Sequence, residues 1–206
     1  MKLLGRQAGI FFTRYVTDIK KEVFRKSIHI CTAFIPFLLH YFYLPTLSLL
    51  ICAGILYTVA ELCRLNGKKI PFVSTITEAA ARKRDENRFV LGPLTLVIGI
   101  CCSAVLWNET CATVGIFALA FGDGLASLAG KLFGMIRIPG TSGKTVAGSL
   151  TCFVAIFCST FLYTHHTYIA LLIACVGMAI EVLPLKDFDN ILIPIVLGGV
   201  TSLLLP

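Results

Sequence analysis

Charged residues are scarce in this chain of 206 residues: 14% are Asp, Glu, Lys or Arg, whereas 57% are hydrophobic. Soluble domains contain about 25% charged and about 45 to 50% apolar residues, so this composition argues against an ordinary water-soluble domain. The first 22 residues also lack the small-residue cleavage site of a secretory signal peptide. Together these absences predict an integral membrane protein.

Disulfide and zinc motifs are missing as well. The chain has nine cysteines, yet no two of them form a C-x-x-C pair, and they lie in or beside apolar runs. Buried free cysteine behaves as a small apolar residue, so we interpret most of these side chains as packing residues. No long internal repeat or low-complexity linker divides the chain, which predicts a single integral membrane domain over residues 1–206.

Apolar runs recur almost without interruption from residue 28 onward. About 20 mostly apolar residues are needed for a helix to cross the hydrocarbon core. The runs predict an all-α polytopic protein with about seven transmembrane helices and an N-terminal interfacial amphipathic helix within residues 1–27. The predicted spans are approximately 28–43, 44–63, 89–107, 111–130, 146–163, 167–184 and 188–205.

The positive charges give an independent test of this topology, because Lys and Arg are retained in cytoplasmic loops. All 18 fall on one side of the predicted spans: in residues 1–27, from Arg64 to Arg88 around a cytoplasmic segment at 66–88, in a loop at 131–145 and at Lys186. The opposite loops contain none, which predicts a cytoplasmic N-terminus. The net charge of +7 then indicates attraction to anionic lipid or to phosphate, rather than to nucleic acid.

Asp123 stands among glycines inside the fourth predicted span. An ionised Asp at the bilayer centre costs roughly 2.5 to 3.5 kcal/mol on insertion scales, so this residue needs a partner, a metal or a water-filled cavity. Small residues at i, i+4 spacing, at Ala126, Gly130 and Gly134, also suit close helix packing. Packing does not account for the carboxylate, and we interpret Asp123 as functional.

Further polar residues lie near the cytoplasmic ends of other predicted spans. They are His29, Glu61, Glu181, Asp187, Asp189 and Asn190. Glu61 and Arg64 have the i, i+3 spacing of a simple helical ion pair, which leaves a structural role open for Glu61. The clustering of the others at one depth predicts a polar site at the inner leaflet.

The loop after the fourth span is rich in glycine and ends in Gly143-Lys144-Thr145. A P-loop requires another glycine at position 138, where this chain has Ile138, so the loop is not a Walker A motif. Glycine-rich backbone, a lysine and a following helix N-terminus still favour anion binding. A carboxylate facing such a loop is the arrangement that a magnesium-nucleotide complex requires.

With these residues the chain resembles the CTP-dependent membrane lipid kinases: dolichol kinase, phytol kinase, the yeast-type diacylglycerol kinase and bacterial polyprenol or diacylglycerol kinase relatives. The matching segments are Glu22-x-x-Arg25-Lys26-x-x-His29, Gly122-Asp123-Gly124-x-Ala126-x-x-x-Gly130-x-x-x-Gly134, Lys144-Thr145-x-x-Gly148-Ser149 and Glu181-x-x-Pro184 followed by Asp189-Asn190. Each is short, but their order on separate spans makes the combination specific.

The resemblance implies a kinase that transfers phosphate from a nucleoside triphosphate, CTP by analogy, to a lipid alcohol at the cytoplasmic face of a cell inner membrane or endoplasmic reticulum. Arg25 and Lys26 are implied to bind phosphate, and Asp123 and Gly130 to belong to the nucleotide motif. We expect Mg²⁺ on Asp123, with Asp189 or Glu181 as second ligand or as acceptor of the hydroxyl proton, and His29 as a weaker candidate base. The remaining expected nucleotide-binding residues are Gly122, Gly124, Ser127, Lys131, Gly134, Thr141, Lys144, Thr145 and Asn190.

Three other classes stay open at this point, one of them a structural or scaffold membrane protein. A transporter also combines broken helices with intramembrane acids, although usually at the bilayer midplane. A phosphatidate cytidylyltransferase-like enzyme would be distantly similar, but the D-R-x-D run of that family is missing here.

Overall fold

The computed structural model describes residues 2–68, 77, 88–141 and 143–205. The predicted cytoplasmic segment at 66–88 therefore lies largely outside the described residues. Within them the chain is helical apart from short connections and one isolated β-bridge between Arg137 and Thr145. The prediction of an all-helical protein is confirmed.

Nine α-helices follow one another along the described chain. They are α1 Lys2–Cys31, α2 Ile35–Tyr41, α3 Tyr43–Leu65, α4 Gly92–Leu106, α5 Glu109–Phe117, α6 Gly124–Phe133, α7 Val146–Thr164, α8 Thr167–Val182 and α9 Asp189–Leu204. A 3₁₀ turn, Thr32–Phe34, joins α1 to α2, and a π-helical segment, Ala118–Asp123, joins α5 to α6.

In the part of the chain that the structure describes, three helices are long and apolar enough to cross a membrane: Tyr43–Leu65, the continuous helix Glu109–Phe133 and Val146–Thr164. Helices α4, α8 and α9 are equally apolar but have only 15 or 16 residues. The chain thus has the helices of a membrane protein. The count of seven spans and the orientation of the N-terminus stay predictions.

The first predicted span, 28–43, differs most from the structure. Residues 28–31 are the end of the long helix α1, and the chain then makes the 3₁₀ turn before α2 begins. Pro36 lies in the first turn of α2, where its missing N–H is tolerated but where it prevents an uninterrupted helix from passing through. The predicted boundary between residues 27 and 28 therefore lies inside α1, and the chain breaks at Thr32–Phe34 instead.

The core lies between α4, α5, α7, α8 and α9. Its largest fully buried side chains are aliphatic, among them Ile100, Ile116, Ile156 and Ile193. The backbone of α9 packs directly against the backbone of α4. A Cβ on Gly99 would lie 2.1 Å from the Asn190 carbonyl oxygen. Such small-residue contacts drive helix association where lipid removes the hydrophobic driving force. They fix the start of α9 beside α4.

Glu61 has a structural role. It is 1% exposed, and its carboxylate accepts hydrogen bonds from the Arg64 guanidinium at 2.7 and 2.8 Å and from the backbone N–H of Val90 at 2.8 Å. These contacts tie α3 to the segment before α4. The structural alternative for Glu61 therefore accounts for its burial.

Candidate active site

One face of α1 carries buried polar residues. Glu22, Lys26 and His29 are 5%, 3% and 5% exposed, and their i, i+4, i+7 spacing aligns them on one side of the helix. Buried charges are costly unless they are paired and hydrogen-bonded. This face therefore has to meet charged partners on other helices.

Asp123 is the partner of this face. It is the last residue of the π-helical segment, it is 4% exposed, and its carboxylate forms an ion pair with Lys26. The same oxygen, Oδ2, lies 3.2 Å from Nε2 of His29. A π-helical turn inserts one residue into the helix and is frequent at functional sites. Here it ends at the carboxylate that α1 neutralises.

His29 also contacts the beginning of α9. Its Nε2 lies 3.0 Å from Oδ1 of Asn190, whose Nδ2 donates to the Thr95 hydroxyl at 3.0 Å and to the Gly92 carbonyl at 3.3 Å. Because a carbonyl only accepts, the amide orientation of Asn190 is determined, and Nε2 of His29 must carry the hydrogen. Nδ1 of His29 is buried and has no hydrogen-bond partner among the described residues.

Glu22 connects α1 to α6. It pairs with Arg25 and with Lys131 at 2.7 Å, and it accepts a hydrogen bond from Ser127 at 2.5 Å. Burial by itself raises the pKa of Glu22, but the charge of Arg25 and the contacts with Lys131 and Ser127 outweigh it and lower the pKa to about 2. Glu22 was not predicted as a site residue, although its i, i+3 spacing to Arg25 was a usable signal.

The loop between α6 and α7 is a compact turn. Ile138 N–H donates to the Lys144 carbonyl at 2.9 Å, and Gly140 and Gly143 have φ values of 76° and 89°, which glycine adopts without strain. Thr141 closes the turn, since its hydroxyl donates to the Ile138 carbonyl at 2.7 Å. Thr145 caps α7 by accepting from the Gly148 N–H at 3.2 Å.

Lys144 reaches from this loop to α8. Its Nζ lies 2.8 Å from Glu181, and the other oxygen of that carboxylate accepts from Ser149 at 2.9 Å. Burial alone lowers the pKa of Lys144, but the charge and hydrogen bond of Glu181 dominate and raise it. Lys144 is therefore a permanent cation. Ser149 is a second residue that was missed, although it lies in the segment that carries the resemblance.

These groups line one cavity of about 400 Å³, which we call the polar cavity. Its acidic side chains are Glu22, Asp123, Glu181 and Asp189, and its basic side chains are Arg25, Lys26, Lys131, Lys144 and Lys186. Ser127, Gly130 and Thr145 also face it. The structure thus brings together most residues that were predicted to bind nucleotide, with one basic residue in excess of the acids.

A second cavity of about 180 Å³, the apolar cavity, lies next to it. Its sides include Ile28, Tyr57, Val90, Pro93 and Leu96, and His29 and Asn190 also line it. Four residues line both cavities: Arg25, Lys26, Asp123 and Asp189. We call these four the shared wall. Any group bound at the end of one cavity would meet a group bound in the other at this wall.

Five of the predicted nucleotide-binding residues do not line the polar cavity. Gly122, Gly124 and Gly134 lie at helix contacts, where a Cβ would come within 2.7 Å of Ile156, 3.1 Å of Ile30 and 2.0 Å of the Gly130 carbonyl oxygen. Thr141 shapes the loop instead. Asn190 faces the apolar cavity rather than the polar one.

The predicted metal ligands Asp123, Glu181 and Asp189 face the same polar cavity. Among the described residues no group of three or more His, Cys, Asp or Glu side chains is arranged to hold a metal ion by itself. Mg²⁺ usually takes one or two carboxylates and completes its shell with water and substrate phosphates. Hard carboxylate oxygens in a cavity with phosphate-binding lysines suit that mode, so this donor set fits Mg²⁺ bound together with a nucleotide.

Comparison with known proteins confirms the resemblance to membrane lipid kinases. The chain is 29% identical over 151 residues to the chloroplastic phytol kinase 1 of Arabidopsis thaliana, covering 64% of this chain and 49% of that protein. It is 31% identical over 141 residues to dolichol kinase of Saccharomyces cerevisiae, covering 62% and 26%. It is 26% identical over 91 residues to the chloroplastic farnesol kinase of Arabidopsis thaliana, covering 43% and 30%.

The chain therefore spans about half the length of the matched phytol kinase and less of the other two. No family model matches the chain. No solved structure matches it either.

Proposed function

We propose that this protein is a lipid-alcohol kinase that transfers the terminal phosphate of a nucleoside triphosphate, CTP by analogy with the family it resembles, to the hydroxyl of a membrane lipid. In this proposal seven helices cross the bilayer, the N-terminus is cytoplasmic, and the polar cavity opens to the cytoplasmic side. The positive charges predict that side.

The observation that carries the proposal is the shared wall between a charged cavity and an apolar one. Phosphoryl transfer from a nucleotide to a lipid requires one site for a highly charged donor and one for a hydrocarbon acceptor, with the reacting atoms in contact. Lys26 and Asp123 lie at this junction. A carrier with one substrate has no need for two such different cavities that meet at an ion pair.

The charges of the polar cavity suit an exchange of partners when a nucleotide binds. Lys26 is paired with Asp123, and Lys144 is paired with Glu181. Phosphate oxygens would take over the two lysines, and Arg25 would bind a third position. Asp123, with Asp189 or Glu181, would then hold Mg²⁺, which supplies neutralisation of the phosphate charge.

The reaction needs little covalent help from the protein. The acceptor oxygen forms a bond to the terminal phosphorus, the bond from that phosphorus to the bridging oxygen breaks, and the nucleoside diphosphate leaves. The hydroxyl proton passes to Asp189 or Glu181, with His29 as a weaker candidate through its unpartnered Nδ1. Catalysis then comes mainly from positioning and from the cations around the phosphates.

The relatives support a lipid alcohol as the acceptor, since their names specify phytol, dolichol and farnesol. Each of these molecules has one hydroxyl on a hydrocarbon chain. Diacylglycerol, which the wider family also phosphorylates, is the other candidate class.

The test is a transfer assay with the purified full chain in detergent, CTP or ATP labelled in the terminal phosphate, Mg²⁺ and a panel of lipid alcohols. We expect labelled lipid from the wild type and a loss of at least 1000-fold in Asp123→Asn. Glu109→Gln is the matched control, because Glu109 is an exposed carboxylate at the other end of the same continuous helix.

Absence of labelled lipid from the wild type with every alcohol and both nucleotides would contradict the proposal. Full activity in Asp123→Asn would contradict the assigned role of the shared wall. Mg²⁺-dependent binding of nucleotide that disappears in Asp123→Asn separates a kinase from a transporter, because a carrier has no reason to bind CTP.

A further inference from the structure

The apolar cavity has a sharp division between its sides and its end. Helices α1, α3 and α4 contribute hydrocarbon from Ile28, Tyr57 and Leu96, and Val90 and Pro93 complete the sides. The acids and bases that line this cavity belong to the shared wall, apart from His29 and Asp187. A molecule that fills the cavity therefore meets hydrocarbon along its length and charge at one end.

Polar groups along the sides are already used within the protein. The Tyr57 hydroxyl donates to the Val90 carbonyl at 2.7 Å, and the Asn190 amide donates to Thr95 and to Gly92. Two exceptions are the Thr77 hydroxyl and Nδ1 of His29, which are buried without a hydrogen-bond partner among the described residues. As far as the described residues line it, the cavity thus offers hydrocarbon contact and almost no hydrogen bonds to a ligand along its sides.

We propose that the apolar cavity is the acceptor site and that it selects alcohols with a single hydroxyl on an ester-free hydrocarbon chain. The inference rests on the proposed kinase function. The hydroxyl lies against the shared wall, where Lys26 and Asp123 face the terminal phosphate of a nucleotide in the polar cavity, and the first part of the chain lies against Leu96 and Ile28.

Diacylglycerol does not suit these sides. Its two ester carbonyls accept hydrogen bonds. Among the described residues, the sides around Val90, Pro93 and Leu96 offer these carbonyls no exposed donor, since the Thr77 hydroxyl is itself fully buried, and this weakens binding. An isoprenoid or other simple alcohol carries no such groups. The selectivity therefore comes from what the cavity sides lack rather than from a specific recognition contact.

The structure offers a matched pair of substitutions on α4. Leu96 is 5% exposed and lines the apolar cavity, whereas Ile98, two residues later, is 38% exposed and does not line it. We expect Leu96→Trp to raise the KM for farnesol and phytol at least tenfold, because the indole occupies the space of the acceptor. The Kd for nucleotide should stay within twofold of wild type, and Ile98→Trp should leave both constants unchanged.

Ile28→Trp covers the case in which Leu96→Trp does not fold, because Ile28 lines the same cavity from α1 and is 36% exposed, so a larger side chain is tolerated. It should raise the acceptor KM in the same direction. The wild type should also show a kcat/KM for diacylglycerol at least tenfold below that for phytol.

The outcomes separate this inference from the function it rests on. A wild type that phosphorylates no alcohol overturns the proposed kinase. A wild type that does so, with Leu96→Trp or a folded Ile28→Trp matching Ile98→Trp in acceptor KM, overturns the acceptor site alone. Equal kcat/KM for diacylglycerol and phytol overturns the selectivity.

Discussion

The ion pair between Lys26 and Asp123 gives the sharpest test of the site, because stability and activity should respond to it in different ways. The two side chains are 3% and 6% exposed. Asp123→Asn removes the charge but keeps the size, and it leaves the ammonium of Lys26 buried without a counter-ion. Removing one member of a buried pair costs about 3 to 5 kcal/mol.

For a domain of this size 1 kcal/mol shifts the melting temperature by about 2 to 4 °C, so Asp123→Asn should melt on the order of 10 °C below wild type. Replacing both partners, as in Lys26→Met with Asp123→Asn, removes the unpaired charge as well, and substitution of a whole buried pair is often neutral. The double variant should therefore recover most of the stability. It should remain inactive, because neither the phosphate-binding lysine nor the carboxylate is present.

Thermal unfolding in detergent, with labelled-phosphate transfer measured on the same samples, provides both readouts. Glu109→Gln is the control for loss of a carboxylate. A melting temperature of Asp123→Asn equal to wild type would refute the buried pair, and a double variant no more stable than Asp123→Asn would refute the charge argument.

Three further outcomes follow from the same contacts. In Gly130→Ala the new Cβ would lie 2.9 Å from the Thr145 hydroxyl, which caps α7. We expect the displaced cap to lower the stability by about 1 kcal/mol and to weaken nucleotide binding. The control Gly92→Ala, whose Cβ would have no atom within 4 Å, should melt like wild type. Chelation of divalent ions should abolish transfer without lowering the melting temperature, since lysines neutralise the carboxylates of the cavity. Because the pKa of Glu22 is lowered, its contribution to stability is complete above pH 4.5 and is lost as the pH falls toward about 2. Thermal unfolding measured across this pH range should show this loss in the wild type and a smaller loss in Glu22→Gln.

The sequence predicted most helices because apolar length and charged ends define them. The predicted spans at 111–130 and 146–163 correspond to Glu109–Phe133 and Val146–Thr164 within a few residues. The break in the first span was missed, since its cause, the turn before Pro36, is short and apolar. The π-helical segment before Asp123 has no distinctive composition, so hydropathy gives no indication of it.

For the site, the sequence predicted that the polar residues lie at a similar depth in the membrane. It did not predict which neighbouring helix each side chain faces. His29, Asp123 and Glu181 were expected near one membrane face, and the structure places them around two adjoining cavities. Which face of a helix meets which neighbour depends on packing, and that is why the glycines beside Asp123, at Gly122 and Gly124, proved to contact Ile156 and Ile30 instead of facing the cavity. The contacts of Glu22 were missed for the same reason.

The most direct measurement is an experimental structure of the full chain in detergent with Mg²⁺ and a non-hydrolysable CTP analogue. The account predicts the triphosphate in the polar cavity, with its terminal phosphate at the shared wall beside Lys26 and Asp123 and another phosphate on Lys144. A nucleotide bound elsewhere, or phosphates turned away from Asp123, would contradict it.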